Sequence, residues 1–224
     1  MNAASRTRKP TIASKHLLRY IGDVNETRDR ILDAAYAVFS EQGFRGATTR
    51  RIAEDAGVNE VTLFRHFAGK EELLAVAIER QSERGMAALA RYPLPATPHR
   101  LHQELHDFLM ATLAGFLSAR QAIRTTIGEW GHHPPLNAPL MRTTEHVYDA
   151  LRAYVVAAQA AGLVRPDLEP GVVTEIILAT IFSDGLLRDM LPGRFPLDPA
   201  ASVSAYLDVI LTGLVPDPKE VRKA

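Results

Sequence analysis

Residues Ala47–Lys70 read ATTRRIAEDAGVNEVTLFRHFAGK, and the fold is decided here. Thr48 or Thr49 can cap a short helix, because a hydroxyl at a helix start accepts from backbone N–H groups that lack partners in the first turn. Ile52, Ala53 and Ala56 then recur at three- and four-residue steps, giving a narrow apolar face. The two alanines let a second helix approach closely. Gly57 follows, where a residue without a β-carbon takes a left-handed turn most cheaply. Val58 fills the corner, and Asn59 can cap the next helix, roughly Glu60–Phe67. In that helix Leu63 and Phe67 are four apart and point inward. Glu60, Val61, Thr62, Phe64, Arg65 and His66 are left facing out.

Two short helices around a tight Gly turn are the layout of a helix-turn-helix, whose second helix enters the DNA major groove. The outward residues suit that use. Thr62 and the His66 imidazole can bond phosphate or base edges, Arg65 can reach guanine or phosphate, and Val61 can pack on a thymine methyl. The plain alternative is a solvated helix with one exposed Phe, because short patterns of this kind recur by chance.

The string also resembles the N-terminal signature of the tetracycline-repressor (TetR) family. The matching residues are Thr48, Ile52, Ala53, Ala56, Gly57, Val58, Thr62, Leu63, Phe64, His66, Phe67, Lys70, Glu71, Leu73 and Leu74. Upstream, RILDAAYAVFSEQGFRGATTR at Arg30–Arg50 is similar to the family's first helix and its exit through Gly43–Phe44. The chain departs from the pattern at Phe64, where the family more often has Tyr, and at Glu60, which brings a charge that DNA repels. The resemblance implies that Thr49 and Arg50 hold phosphate, that Glu60, Val61, Thr62, Phe64, Arg65 and His66 face the groove, and that Lys70 clamps phosphate beside helix N-terminal amides. Glu60 either accepts from a cytosine amino group or repels wrong sequences.

Twenty-six basic and twenty-six acidic residues among 224 give a formal net charge of zero, so no global field draws the chain to nucleic acid. Charge is distributed unevenly, however. Arg6, Arg8, Lys9, Lys15 and Arg19 lie in the first nineteen residues without any acid. Residues 1–22 therefore read as a basic flexible arm, either touching phosphate or minor groove or serving as a solubilising tail. The absence of cysteine excludes disulfides and thiolate chemistry. No signal peptide is evident, and no stretch is expected to reach the ~18–20 apolar residues that span a bilayer. A cytoplasmic protein without a membrane partner is the expectation.

Helical periodicity continues along the chain, and no long period-two alternation interrupts it, so the fold class is all-α. A first helix is predicted from about Glu26 to Gln42, with Ile31, Ala35, Val38 and Phe39 as its apolar stripe. Lys70–Arg91 reads as a longer helix, and YPLPATP at Tyr92–Pro98 breaks the chain. Helices follow near His99–Ser118, Arg120–Trp130, Pro139–Ala161, Gly171–Met190 and Ala200–Leu214. The domain reading is a helix-turn-helix unit over 23–70, a helical ligand-binding and dimerisation domain over 71–215, and a tail over 216–224. The helix at 171–190 is apolar on more than one face and so needs cover on two sides. A second copy is the expected cover, pairing the helices at about 171–190 and 200–214 into a homodimer. The TetR resemblance implies the same. A monomer's own core is the alternative.

For chemistry, HQELH at His102–His106 puts two imidazoles on one helix face, as a shared zinc would require. The Glu is at the wrong position to activate water, so neither a metal site nor an enzyme is expected, and no cofactor. A metal-dependent hydrolase using His102 and His106 stands as the remote rival. A small-molecule pocket is a better use of the middle of the chain. Leu105, Phe108, Leu109, Phe116, Trp130, Tyr148 and Phe182 supply apolar lining and Arg124 a polar handle. The combined expectation is a ligand-responsive regulator, most simply a repressor whose two recognition helices stand about 34–36 Å apart on a near-palindromic double-stranded operator. A small-molecule effector would release it. A constitutive DNA-binding protein without an effector is the alternative.

Overall fold

The computed structural model describes residues 12–129 and 131–214, and all of its regular elements there are helical. In chain order they are α1 (Ile12–Gly46), α2 (Thr49–Asp55), α3 (Glu60–His66), α4 (Lys70–Leu89), α5 (Leu101–Gly128), α6 (Pro134–Ala160), α7 (Pro170–Leu187) and α8 (Pro199–Leu214), with a 3-10 turn at Pro192–Arg194. The backbone divides into two compact units, Met1–Ala77 and Ile78–Ala224, and the dividing point falls inside α4.

Several helix limits differ from the sequence reading, three of them for a clear local reason. α1 starts at Ile12 instead of near Glu26, so the backbone of 12–22 is helical and not a flexible arm. Between Pro10 and Asn25 only Gly22 disfavours a helix, and one Gly costs merely about 1 kcal/mol. The remainder of the arm and the tail at 216–224 lie outside the described residues. α5 is continuous through Ser118–Arg120, where neither Pro nor Gly occurs to break it. α6 begins at Pro134, a favoured first helical position, and tolerates Pro139 in its second turn at the loss of one ladder hydrogen bond.

In the first unit, Ile31, Leu32, Ala35, Val38 and Phe39 of α1 are buried, together with Ile52, Ala53, Leu63, Phe67, Leu73 and Leu74. Regular helical geometry in α1 is interrupted at Gly43 (φ 69°, ψ −176°).

The second unit is built on α5. Leu105, Phe108, Leu109 and Leu113 form one core with Val147, Leu151 and Tyr154 of α6, Val173, Ile177 and Ile181 of α7, and Val203 and Leu207 of α8. α7 packs on both α5 and α6, and α8 packs chiefly on α5. One polar cluster ties α7 to α8. Asp184, fully buried, accepts from Arg188 Nε at 2.6 Å and Nη2 at 2.7 Å, and from Tyr206 Oη at 2.9 Å. Arg188 Nη2 also donates to Ser202 Oγ at 2.8 Å. Hydrogen bonds of this number are what make a buried ion pair tolerable. The same pairing holds the Arg188 guanidinium above its ordinary value against a smaller opposing effect of burial.

α7 corrects one expectation. Its 18 residues have a mean hydropathy of 1.5 and pass the length and composition test for a membrane span. Its packing on α5 and α6 and the buried Asp184 assign it to a protein core, where an apolar helix passes the same test. Gly185 is the point of closest approach: a β-carbon there would stand 2.5 Å from Phe116 Cβ. Gly185→Ala should therefore push α7 away from α5 and cost about 1–3 kcal/mol. Urea unfolding that leaves the midpoint unchanged would contradict this packing.

Candidate nucleic-acid interface

α2 ends in a Schellman turn built around Gly57. Gly57 has φ 67°, the left-handed region, and its N–H donates to Glu54 O at 3.1 Å while Val58 N–H reaches Ala53 O at 2.9 Å. Both helix starts are capped as their residue types dictate. The Thr48 hydroxyl accepts from Arg51 N at 3.2 Å. Asn59 Oδ1 accepts from Thr62 N at 2.7 Å and from Thr62 Oγ1 at 2.9 Å. Such a cap contributes roughly 1 kcal/mol, a large share of what keeps a seven-residue helix formed.

α3 divides sharply by face. Leu63 is 0% exposed, and Phe67, just past the helix end, 2%. Val61 is 63% and Phe64 51% exposed. Arg65 is also exposed, while Glu60, Thr62 and His66 are half-buried. Phe67 is further held by the Arg28 guanidinium, 5.3 Å from its ring centroid.

The flanking groups have partners that spacing did not announce. Thr49 Oγ1 donates to Glu60 Oε1 at 2.7 Å, so these two residues are brought together across the turn. Arg50 pairs with Glu54 at 3.1 Å and Arg51 with Asp55 at 3.0 Å, both on the exposed side of α2. Pairs this open contribute only a few tenths of a kcal/mol and release their arginines readily. The Lys70 ammonium donates to Phe44 O at 2.8 Å and stands 4.1 Å from the Phe44 ring centroid. It thus ties the end of α1 to the start of α4, with donors to spare for a second acceptor.

In the second unit the residues considered as pocket lining separate. Leu105, Phe108 and Leu109 are buried in the core at 1–3% exposure. Phe116 and Phe182 meet edge to face at 5.3 Å. Arg124 bonds Asp189 and the Leu186 carbonyl, which holds the Asp189 carboxyl below its usual range. Tyr148 Oη lies 2.9 Å from where a β-carbon on Gly171 would stand. Trp130 lies outside the described residues. A different cleft, of about 320 Å³, opens where the α4–α5 connection meets α5, lined by Arg91, His99, Arg100 and Glu104 among others. Glu104 accepts from Tyr154 Oη at 2.6 Å and, at 3.2 Å, from Arg100 N. Burial raises the Glu104 carboxyl, but these donors with His99 outweigh it and leave it below 4.5. Burial, then the Glu104 carboxylate, push Tyr154 upward. Glu104 consequently adds stability that is complete above pH 4.5 and fades as the pH falls through its lowered value. Glu104→Gln should flatten that acid limb in unfolding melts taken from neutral pH downward; an unaltered limb would show that Glu104 does not set it.

His102 and His106 stack with ring centroids 6.2 Å apart and planes 11° from parallel, so they do not converge on one point. His102 Nε2 instead faces Asp208 at 3.4 Å. Among the described residues no group of three or more His, Cys, Asp or Glu could hold a metal ion.

The family model for bacterial regulatory proteins of the tetR family matches residues 31–78, from the apolar stripe of α1 into α4. The first unit is thus similar to tetR-family regulatory proteins over those residues. The HTH-type transcriptional regulator UidR of Escherichia coli K12 is 28% identical over 172 residues, 75% of this chain and 83% of its own. The HTH-type transcriptional repressor KstR2 of Mycobacterium tuberculosis H37Rv is 45% identical over 56 residues, 25% of this chain and 28% of its own. The likeness to solved structures is one of fold. A transcriptional regulator from Rhodococcus sp. RHA1 superposes with a TM-score of 0.67 at 20% identity, covering 85% of this chain and 99% of that one. The KstR2 structure gives 0.63 at 22% identity, covering 85% and 95%. Residues 31–78 thus carry a helix-turn-helix like that of bacterial tetR-family regulatory proteins, and the relatives named here are transcriptional regulators.

Proposed function

We propose that this chain is a transcriptional regulator of the TetR family, a dimeric repressor that leaves a near-palindromic operator when it binds a small apolar or amphipathic molecule. One observation supports the DNA-facing part above the rest: α3 buries Leu63 and Phe67 and turns Val61 and Phe64 outward. Two large apolar side chains on a short exposed helix are costly in water and useful against thymine methyl groups and sugar edges. In this reading Glu60, Val61, Thr62, Phe64, Arg65 and His66 meet the groove, while Thr49, Arg50 and Lys70 serve the backbone. Arg65→Ala should weaken operator binding by about 1–3 kcal/mol and leave the oligomeric state unchanged. Fluorescence anisotropy on the upstream DNA of its own gene tests this, and full affinity in the variant would remove Arg65 from the reading face.

Support for dimerisation comes from what α7 and α8 leave uncovered. Val172 (58%), Ile176 (54%) and Val209 (76%) are exposed apolar residues on helices whose other faces are buried in the core. A two-fold pairing of these helices buries them and supplies the second recognition helix that a useful operator length requires. Ile176→Asp puts a carboxylate into that face and should yield a folded monomer by light scattering. A dimer of undiminished stability would place the interface elsewhere.

The effector reading draws on the edge-to-face pair of half-buried Phe116 and exposed Phe182 and on Arg124, whose Nε is buried without a hydrogen-bond partner among the described residues. An acceptor on an otherwise apolar ligand would satisfy it. A ligand preferring a dimer of different spacing weakens DNA binding by its differential affinity, about 1–3 kcal/mol in ordinary cases. α4, shared by both units, is the natural carrier of that coupling. The site of action is the cytoplasm, where the DNA is.

A further inference from the structure

Thr49 and Glu60 are each the first residue of a helix and lie 11 apart in sequence, yet the Thr49 hydroxyl donates to Glu60 Oε1 at 2.7 Å. Capping does not consume this carboxylate, because Asn59 performs that service for α3. Neither arginine of α2 is turned to it: Arg50 faces Glu54 and Arg51 faces Asp55. Glu60 is thus a carboxylate held in place through one oxygen, with no partner for the other among the described residues, on the helix that carries exposed Val61 and Phe64.

A fixed negative charge beside a polyanion lowers affinity at every site, so it has a use only where it separates one sequence from another. We propose that Glu60, latched by Thr49, selects cytosine at one position of each operator half-site. This rests on the reading of α3 as the groove helix. A carboxylate accepts and never donates, so it is matched in the major groove only by the cytosine N4 or adenine N6 amino group. Adenine places its N7 acceptor beside N6, and that lone pair repels the carboxylate; cytosine has no acceptor there on its own edge. Guanine and thymine present acceptors to the oxygen and are rejected. The latch adds selectivity because an oxygen with a fixed position cannot swing away from a wrong base.

Selection from randomised duplex DNA by the wild-type protein, by Glu60→Gln and by Thr49→Val tests the proposal, with anisotropy titrations of the enriched duplex and its single-base variants. Glu60→Gln keeps the side-chain volume and an oxygen for the Thr49 hydroxyl, and circular dichroism checks its fold. The expected wild-type motif has one cytosine per half-site whose replacement weakens binding roughly tenfold. In Glu60→Gln the amide N–H₂ replaces the free oxygen, so the preference at that position should pass to a base offering an acceptor while the other positions stay unchanged. Thr49→Val should narrow the cytosine ratio several-fold without altering the rest of the motif. The same motif with the same cytosine ratio in Glu60→Gln would reduce Glu60 to a structural clamp and overturn the proposal, as would a wild-type motif without that cytosine. Full cytosine preference in Thr49→Val would overturn the latch. Enrichment of no sequence by the wild type would remove the groove-helix reading itself, a result distinct from all of these.

Discussion

The burial of Leu63 and Phe67 is the constraint on which the helix-turn-helix half depends. A helix of seven residues is too short to persist on its own propensity, so α3 exists because its inner side is anchored and its start is capped. Two fully buried large side chains contribute about 1.5–3 kcal/mol each, more than the Asn59 cap does. Once they point inward, the 3.6-residue repeat leaves no choice about which residues point out. The Schellman turn at Gly57 fixes where that outward face begins. Arg28 over the Phe67 ring and Lys70 on the Phe44 carbonyl hold the surrounding segments to the same frame.

In the other half the decisive element is α7. It must present an apolar side to α5 and α6, and it achieves close approach by omitting a β-carbon at Gly185. The Asp184–Arg188–Tyr206 cluster is a buried polar peg between α7 and α8. Such a cluster adds little net stability, but removal of one member leaves a buried charge without its partner and costs several kcal/mol. Its effect is to hold α7 and α8 in a single register. Val172 and Ile176 on α7 and Val209 on α8 are thereby exposed on helices whose relative placement is fixed.

The helix-turn-helix was legible residue by residue because capping chemistry, a left-handed glycine and an apolar repeat are all local signals. The same signals under-read α1, where only Gly22 stands between Pro10 and Asn25, and split α5 at Ser118–Arg120, where neither Pro nor Gly occurs. They also treated Leu105, Phe108 and Leu109 as pocket lining alongside Phe116, since periodicity marks a side as apolar without saying whether a neighbour fills it. α7 shows the limit from the opposite direction: composition alone could not distinguish a membrane span from a core helix.

The amino-acid sequence by itself determined the all-α class, the turn at Gly57, the Asn59 helix cap and the inward pair Leu63 and Phe67. Each of these follows from interactions within a few residues along the chain. Tertiary structure decided that the Thr49 hydroxyl meets Glu60, that Lys70 caps the end of α1, and that Arg124 reaches Asp189, 65 residues away. Those contacts depend on how one helix crosses another, and the crossing is set by the packing of whole side-chain surfaces, which no local pattern encodes.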